Sequence, residues 1–287
     1  MKPHPECGAC LVHWVFERAA PHTPEAETAR LVRSIVSILA HDVSPEANVG
    51  SLCNSTVHKV FEFTKGLAEH YDNLKDKSNE NARMILPEAA EFIRLGETPQ
   101  ARLGRACFLA AAANVAPLNA PSSPYTFQEI RDLMNQGIDD RAMNDDLFGV
   151  LKESRHVLYV TDNAGEIGFD SLVIRQIKEM GLKVTLVVKK QTFFEDATLE
   201  DVHAFGLSEL VDEVVTVSGF MAPQELEPSV AGLLKSTDLV IAKGTGSYEA
   251  IHGELGAKKV AYLLKIKCKP IARELGMNEG RVIVKLQ

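Results

Sequence analysis

Apolar residues recur along this chain with two different periods, and the change of period divides it. Up to about residue 153 they fall at helical spacing. In "PEAETARLVRSIVSILA", Leu31, Ile35, Ile38 and Leu39 line one stripe, as expected of an amphipathic helix. "PQARLGRACFLAAAANV" is alanine-rich, with the propensity and apolar content of a buried helix. Between them, "SLCNSTVHKVFEFTKGLAEHYDNLKDKSNENARMILPEAAEFIRL" sets apolar steps among charges at the same spacing, and no strand pattern precedes about residue 155.

Beyond that point the apolar runs become short and continuous. "HVLYVT", "KVTLVVK", "DEVVTV", "DLVIAK", "KVAYLLK" and "RVIVKL" are rich in Val, Leu and Ile and are separated mostly by helix-length segments. Such runs alternating with helices predict a mostly parallel sheet covered on both faces. The expected fold class is α/β: a helical N-terminal region, residues 1–153, packed on a Rossmann-like three-layer α/β/α domain, residues 154–287. "APLNAPSSPYTF" predicts a loop inside the helical part.

Composition narrows the function without naming it. The chain has 287 residues, 45% hydrophobic and 24% charged, enough for one large domain or two smaller ones. A formal net charge of -8 argues against nucleic acid as the main partner, because such affinity comes largely from clustered Lys and Arg. "MKPHPECGACLVHW" has no long apolar segment, and no apolar run approaches the roughly 18 residues of a membrane span. A cytoplasmic protein with no membrane partner is expected. The five cysteines are odd in number and scattered, unlike a secreted disulfide framework.

In an open parallel sheet, ligands bind beyond the carboxyl ends of the strands. The first strand leads into "YVTDNAGEIGFD", which has Gly165 and Gly168 but opens with Asp162 where a dinucleotide phosphate would approach. A carboxylate there repels phosphate unless a divalent cation lies between them. The second strand leads to "KKQTFFEDATLED" with Asp196, and the fourth to "KGTGSYEA", beginning at Lys243 and Gly244. If the first strand lies between the second and fourth, these loops share one crevice. Asp162, the amide oxygen of Asn163, and Asp196 then offer hard oxygen ligands suited to Mg²⁺ or Mn²⁺. Lys243 with the Gly244 and Gly246 backbone would receive an anion, and metal plus lysine would neutralise a transferring phosphoryl group. On spacing alone, Asp162 and Asn163 fit a turn and helix cap equally well.

"DNAGE", "EDATLED", "AKGTGSYEA" and "LLKIKC" together resemble the motifs of the DUF89 family of metal-dependent damage-control phosphatases, in particular its short branch with an N-terminal Cys-x-x-Cys. The resemblance runs from "CGAC" through "YDNLKDKSNENA" and "AAAANV" to "LLKIKC". It implies a phosphatase of small phosphorylated metabolites, such as sugar phosphates or damaged phosphometabolites, using a divalent ion (Mn, Mg, Co or Ni). By resemblance, Asp162, Asn163 and Asp196 are the metal-binding and catalytic residues, and Lys243 faces the substrate phosphate. Gly244, Glu166, Asn114 and Lys267 join the substrate side. The chain departs from the family pattern at Ala113-Asn114, which Pro117 follows where an acid is usual, and at Glu69-His70-Tyr71 in place of Asp-Pro-Tyr.

Two other functions fit a Rossmann-like sheet: an S-adenosylmethionine-dependent methyltransferase, and a non-catalytic nucleotide or metabolite sensor. Neither needs a metal. His4, Cys7, Cys10 and His13 recur every third residue and with Cys53 offer soft ligands, but one Cys-x-x-Cys without a second spaced pair reads first as buried structural thiols. Lys265, Lys267 and Lys269 follow the fifth strand, where solvated lysines are ordinary.

Overall fold

A computed structural model describes residues 1–118, 120, 123–136 and 146–287, so residues 119, 121 and 122 of the expected loop lie outside the described residues. Every described element before the sheet is helical: α1 (Pro5–Ala19), α2 (Glu25–Asp42), α3 (Val49–Phe63), α4 (Leu67–Arg94), α5 (Pro99–Ala112), α6 (Gln128–Gln136) and α7 (Leu147–Glu153). Strands and helices then alternate: β1 (His156–Val160), α8 (Glu166–Glu179), β2 (Lys183–Lys189), α9 (Leu199–Ala204), β3 (Glu213–Val217), α10 (Pro228–Ser236), β4 (Leu239–Lys243), α11 (Gly244–Ile251), β5 (Lys259–Lys265), α12 (Lys269–Leu275) and β6 (Val282–Leu286). No helix among the described residues is long and apolar enough to cross a membrane.

All six expected strands are present, in the order β3-β2-β1-β4-β5-β6. β1 therefore lies between β2 and β4, with Val157 level with Val184 on one side and Leu239 on the other. The pairing is parallel except at β6, which runs antiparallel to β5.

Because side chains alternate across a strand, each apolar run feeds two cores. Val157, Tyr159, Leu186 and Ile241 face α5 and α8, while Leu158, Val160, Val187 and Val240 face α1, α3 and α11. The position between residues 153 and 154 separates α7 from β1, and both cores draw residues from either side of it. α4 belongs to both. Its start, Leu67 and Tyr71, packs in the second core, and its end, from Ala82 to Ile93, packs in the first. A helix of 28 residues is about 42 Å long, enough to pass from one sheet face to the other. Between the two cores it carries the buried polar residues Lys75, Ser78 and Asn79.

The N-terminal helices are keyed to the sheet at α3. Asn48 caps α3 by accepting from Ser51 N–H at 3.2 Å, and its Nδ2 donates to the Ala250 carbonyl at 2.9 Å. Gly50 permits the close approach, since a Cβ there would collide with that of Ala250. Gly50→Val should therefore destabilise the chain by about 1–3 kcal/mol, the usual range for overpacking. Gly232→Ala, in α10 with open space around the added methyl, should stabilise it by about 0.5–1 kcal/mol. Urea denaturation of both variants checks this, and equal effects would mean that α3 does not press on α11.

Candidate functional site

The turn after β1 is fixed from two directions. Gly165 has φ +74°, donates its N–H to Asn79 Oδ1 at 2.7 Å, and lies so near α4 that an added Cβ would stand 2.8 Å from the Ser78 carbonyl oxygen. On the other side, Ala164 N–H donates to Glu195 O at 2.9 Å and Ala197 N–H to Asp162 O at 2.8 Å. These bonds close an antiparallel bridge between Asn163 and Asp196. The loops after β1 and β2 are thus joined by backbone, which brings Asp162, Asn163 and Asp196 together.

The second loop has its own supports. Phe194 takes φ +50°, a region that bulky residues rarely occupy, and packs against Tyr71, Phe61 and Trp14 with ring centroids 5.1, 5.4 and 5.2 Å away. Lys189, the last residue of β2, places Nζ 3.0 Å from Asp196 Oδ2. Thr198 and Asp201 form a capping box at the start of α9, and Lys75 of α4 pairs with Asp201 at 3.1 Å. Arg18 of α1 stands 3.4 Å from Glu195 and donates to the carbonyls of Pro117 and Leu118 at 2.9 and 3.0 Å.

Beneath Asp162 lies a buried layer of compensating groups. Asn114 Nδ2 donates to Asp162 Oδ2 at 2.7 Å and to Glu166 Oε2 at 3.1 Å, and Asn163 Nδ2 donates to the same two side chains at 2.9 and 2.8 Å. Lys243 Nζ sits 3.4 Å from Glu166 and 3.3 Å from Asp170, whose Oδ1 also accepts from Tyr159 O–H at 2.8 Å. Burial pushes the Glu166 carboxyl up to about 7, against the pull of Lys243, and Asp162 adds to the rise. Burial likewise raises Asp170 to about 6 and Asp196 to about 7, opposed by Lys243 and Lys189 respectively. Burial acts to lower the Lys243 ammonium, but Asp170, Glu166 and Asp162 outweigh it and the net shift is upward. Gly244, at φ +78°, lets the Asp162 carboxylate lie against the β4–α11 turn, because any Cβ there would overlap it.

A cavity of about 370 Å³ opens above this layer, with Asp162, Asn163, Asp196, Lys267, Arg18 and Trp14 in its wall. The expected site residues are thereby divided. Asp162, Asn163, Asp196 and Lys267 face the cavity, whereas Lys243, fully buried, and Glu166, Asn114 and Gly244 form the layer below. Burial lowers the Lys267 ammonium, and Glu166 and Asp162 act in the opposite sense. Sequence reasoning missed Arg18, Lys75, Asn79, Asp170 and Lys189. A signal for part of this set existed in α4, where Tyr71, Lys75, Ser78 and Ala82 recur at i, i+4, i+7, i+11, so polar residues sit in the inward stripe.

The donor set fits a hard divalent cation. Asp162 and Asp196 supply carboxylate oxygens, and Asn163, with its Nδ2 engaged by Asp162 and Glu166, has Oδ1 left to offer. Asp196 Oδ2 is buried with the Lys189 ammonium 3.0 Å away. Among the described residues, no three His, Cys, Asp or Glu side chains already form a metal cage, so the amide oxygen of Asn163 completes the set.

The family model of the damage-control phosphatase ARMT1-like domain matches residues 4–283. A protein from Archaeoglobus fulgidus named damage-control phosphatase is 30% identical, with 100% of this chain and 99% of that protein covered. A damage-control phosphatase from Pyrococcus horikoshii is 27% identical, with 99% and 97% covered. The crystal structure of a DUF89 family protein from Pyrococcus horikoshii matches with a TM-score of 0.78 at 26% identity, covering 99% of this chain and 98% of that one.

Gly244→Ala should displace the Asp162 carboxylate and weaken Mn²⁺ binding about tenfold or more. Gly253→Ala has nearly the same positive φ but open space around the new methyl, so it should leave Mn²⁺ binding unchanged. Isothermal titration of both variants checks this, and wild-type affinity in Gly244→Ala would mean that the turn does not position Asp162.

Proposed function

The chain belongs to the damage-control phosphatase ARMT1-like family, and from that membership and the cavity geometry we propose that it is a metal-dependent phosphatase acting on small phosphorylated metabolites. The observation that carries this reading is the backbone bridge of Asn163 and Asp196, which sets Asp162, Asn163 and Asp196 in a cavity wall that also holds Lys267. Neither a methyltransferase nor a sensor needs two partly desolvated carboxylates beside an ammonium.

Asp162, Asn163 and Asp196 are the residues that would hold the ion. A hard divalent cation there supplies Lewis acidity toward a phosphoryl oxygen and acidifies a water. The chain's own groups do the rest. Lys267 faces the substrate phosphate and offsets its charge as the bond to the leaving oxygen breaks. Asn114 and Asn163 hold the Asp162 carboxylate by their amide N–H groups. Lys243 keeps Glu166 and Asp170 compensated, so the layer beneath Asp162 stays dry and fixed. The cavity falls in the usual range for small-molecule clefts, roughly 300–1,000 Å³, and its size suits a sugar phosphate or a similar phosphometabolite.

Chelated protein should release no phosphate from a panel of phosphorylated metabolites, and Mg²⁺, Mn²⁺, Co²⁺ or Ni²⁺ should restore turnover. Asp162→Asn and Asp196→Asn should each remove it while circular dichroism stays native. Full turnover after chelation, or in both variants, would refute the proposal.

The two lysines should separate cleanly. Lys267→Ala is expected to reduce kcat/KM by about 10²-fold with little change in stability. Lys243→Ala leaves two buried carboxylates uncompensated and should destabilise the chain by about 3–5 kcal/mol. Thermal melts beside steady-state kinetics test this assignment, and a stable but inactive Lys243→Ala would return Lys243 to the substrate phosphate.

A further inference from the structure

Helix α11 turns one face to the cavity. Thr245, Gly246 and Glu249 line it, while Tyr248, Ala250 and Ile251 pack in the second core. Thr245 and Glu249 stand at i and i+4, so their side chains lie one above the other, about 6 Å apart along the axis. Close packing fixes the helix in place. Gly50 of α3 meets Ala250, and Gly246 leaves room for the Phe220 ring, which an added Cβ would overlap. Phe220 N–H in turn donates to Asn54 Oδ1 at 2.7 Å.

Both polar side chains on this face are poorly compensated. Thr245 is 5% exposed, and among the described residues its Oγ1 has no hydrogen-bond partner. A threonine inside a helix can donate to the carbonyl four residues back, but Thr245 is the second residue of α11, and the residue four back, Ile241, belongs to β4. A buried hydroxyl without a partner is uncommon, and where it lines a cavity a ligand can supply one. Glu249 is partly buried, and Cys7, Cys53 and Cys268 all feel its charge. Burial raises its carboxyl to about 7, opposed by the N-terminal ammonium and Lys267, while Asp162 adds to the rise. A carboxylate so placed gains from a donor group that replaces lost water.

We propose that Thr245 and Glu249 form the subsite for the part of the substrate beyond the phosphoryl group, and that this part carries hydrogen-bond donors, hydroxyl or ammonium, about one helical turn from the phosphorus. The inference rests on the phosphatase reading above. Gly244, the first residue of α11, lies against the Asp162 carboxylate. Thr245, next in the chain, therefore meets the substrate atoms nearest the phosphoryl group, and Glu249, a turn further on, meets the more distant ones. A hydroxyl both donates and accepts, which suits an ester or ring oxygen as well as a hydroxyl. A carboxylate only accepts, so Glu249 selects a donor. A site built to hydrogen-bond such a group discriminates strongly against compounds that lack it.

Two other roles for Glu249 fail on geometry. As a third carboxylate on the ion of Asp162 and Asp196 it would complete a cluster of three acids, and among the described residues no three His, Cys, Asp or Glu side chains are placed to hold a metal. As one half of a stabilising ion pair it would need a cation against its carboxylate. The N-terminal ammonium is the nearest candidate, but its hydrogen bonds go to the carbonyls of Glu249 and His252, at 2.6 and 2.8 Å. The side chain is left to the cavity.

The test compares phenyl phosphate, whose body has no donor, with glucose 6-phosphate and glucosamine 6-phosphate, using the full chain with Mn²⁺. Glu249→Leu should lower the ratio of sugar to phenyl phosphate kcat/KM about tenfold or more, chiefly by raising KM for the sugars. Thr245→Val should lower the same ratio. Between the sugars, a larger Glu249→Gln loss for glucosamine 6-phosphate assigns an ammonium, and an equal response assigns hydroxyls. An unchanged ratio in Glu249→Leu overturns the subsite. If that variant does not fold, Thr245→Val, which keeps the shape of its side chain, decides by the same comparison. Isothermal titration of the three compounds into chelated protein keeps this inference apart from the phosphatase reading. Wild type should bind glucose 6-phosphate about tenfold or more tightly than Glu249→Leu does, with no such difference for phenyl phosphate. That difference in a protein that never releases phosphate would sink the phosphatase and leave the subsite standing, whereas turnover without it overturns the subsite alone.

Discussion

Carboxylates withdrawn from water at the carboxyl edge of a parallel sheet must be compensated, and here the ammonium of Lys243 does most of that. It lies between Glu166 and Asp170 with no exposure to solvent, and Tyr159 O–H donates to the same Asp170 oxygen that the ammonium faces. Without that charge, two buried anions would stand beneath a third acid, Asp162, at a cost of several kcal/mol. With it, the layer is rigid enough to hold Asp162 by the amides of Asn114 and Asn163. Lys243 is the last residue of β4, so the sheet itself sets where the charge sits.

The remaining supports extend from this layer. α4 passes the sheet edge and contributes Asn79 to the first loop and Lys75 to the second, so one helix ties the two loops together. Arg18 brings α1 to the same edge through Glu195 and the carbonyls after Asn114. The unusual backbone at Phe194 is held by three aromatic neighbours and lies two residues before Asp196. The helical region is therefore part of the site, since it builds the cavity over a Rossmann-like sheet. On the proposed reading, that cavity excludes bulk water from the charges set around the phosphate.

Much of this arrangement was legible in the sequence. Six apolar runs became six strands, and β1 fell between β2 and β4, so the loops carrying Asp162, Asp196 and Lys243 met as expected. Motif and loop position, however, do not fix the direction of a side chain. Lys243 points under the turn to Glu166 and Asp170, and it is Lys267 that lines the cavity. The spacing of α4 put polar residues in its inward stripe, but it did not give their partners, Asp201 for Lys75 and the Gly165 N–H for Asn79. Arg18 pairs with Glu195 across 177 positions, and Cys53 and Cys268 arrive beside Cys7 only through the fold. Such contacts leave no local pattern.

The central claim is that Asp162, Asn163 and Asp196 hold the divalent ion that turnover requires. Anomalous diffraction from crystals of the chain grown with Mn²⁺ tests it most directly. The account predicts one strong peak about 2.0–2.3 Å from oxygen atoms of these three side chains. A protein that hydrolyses phosphate with Mn²⁺ but places its manganese elsewhere, or shows no peak beside Asp162, would contradict it.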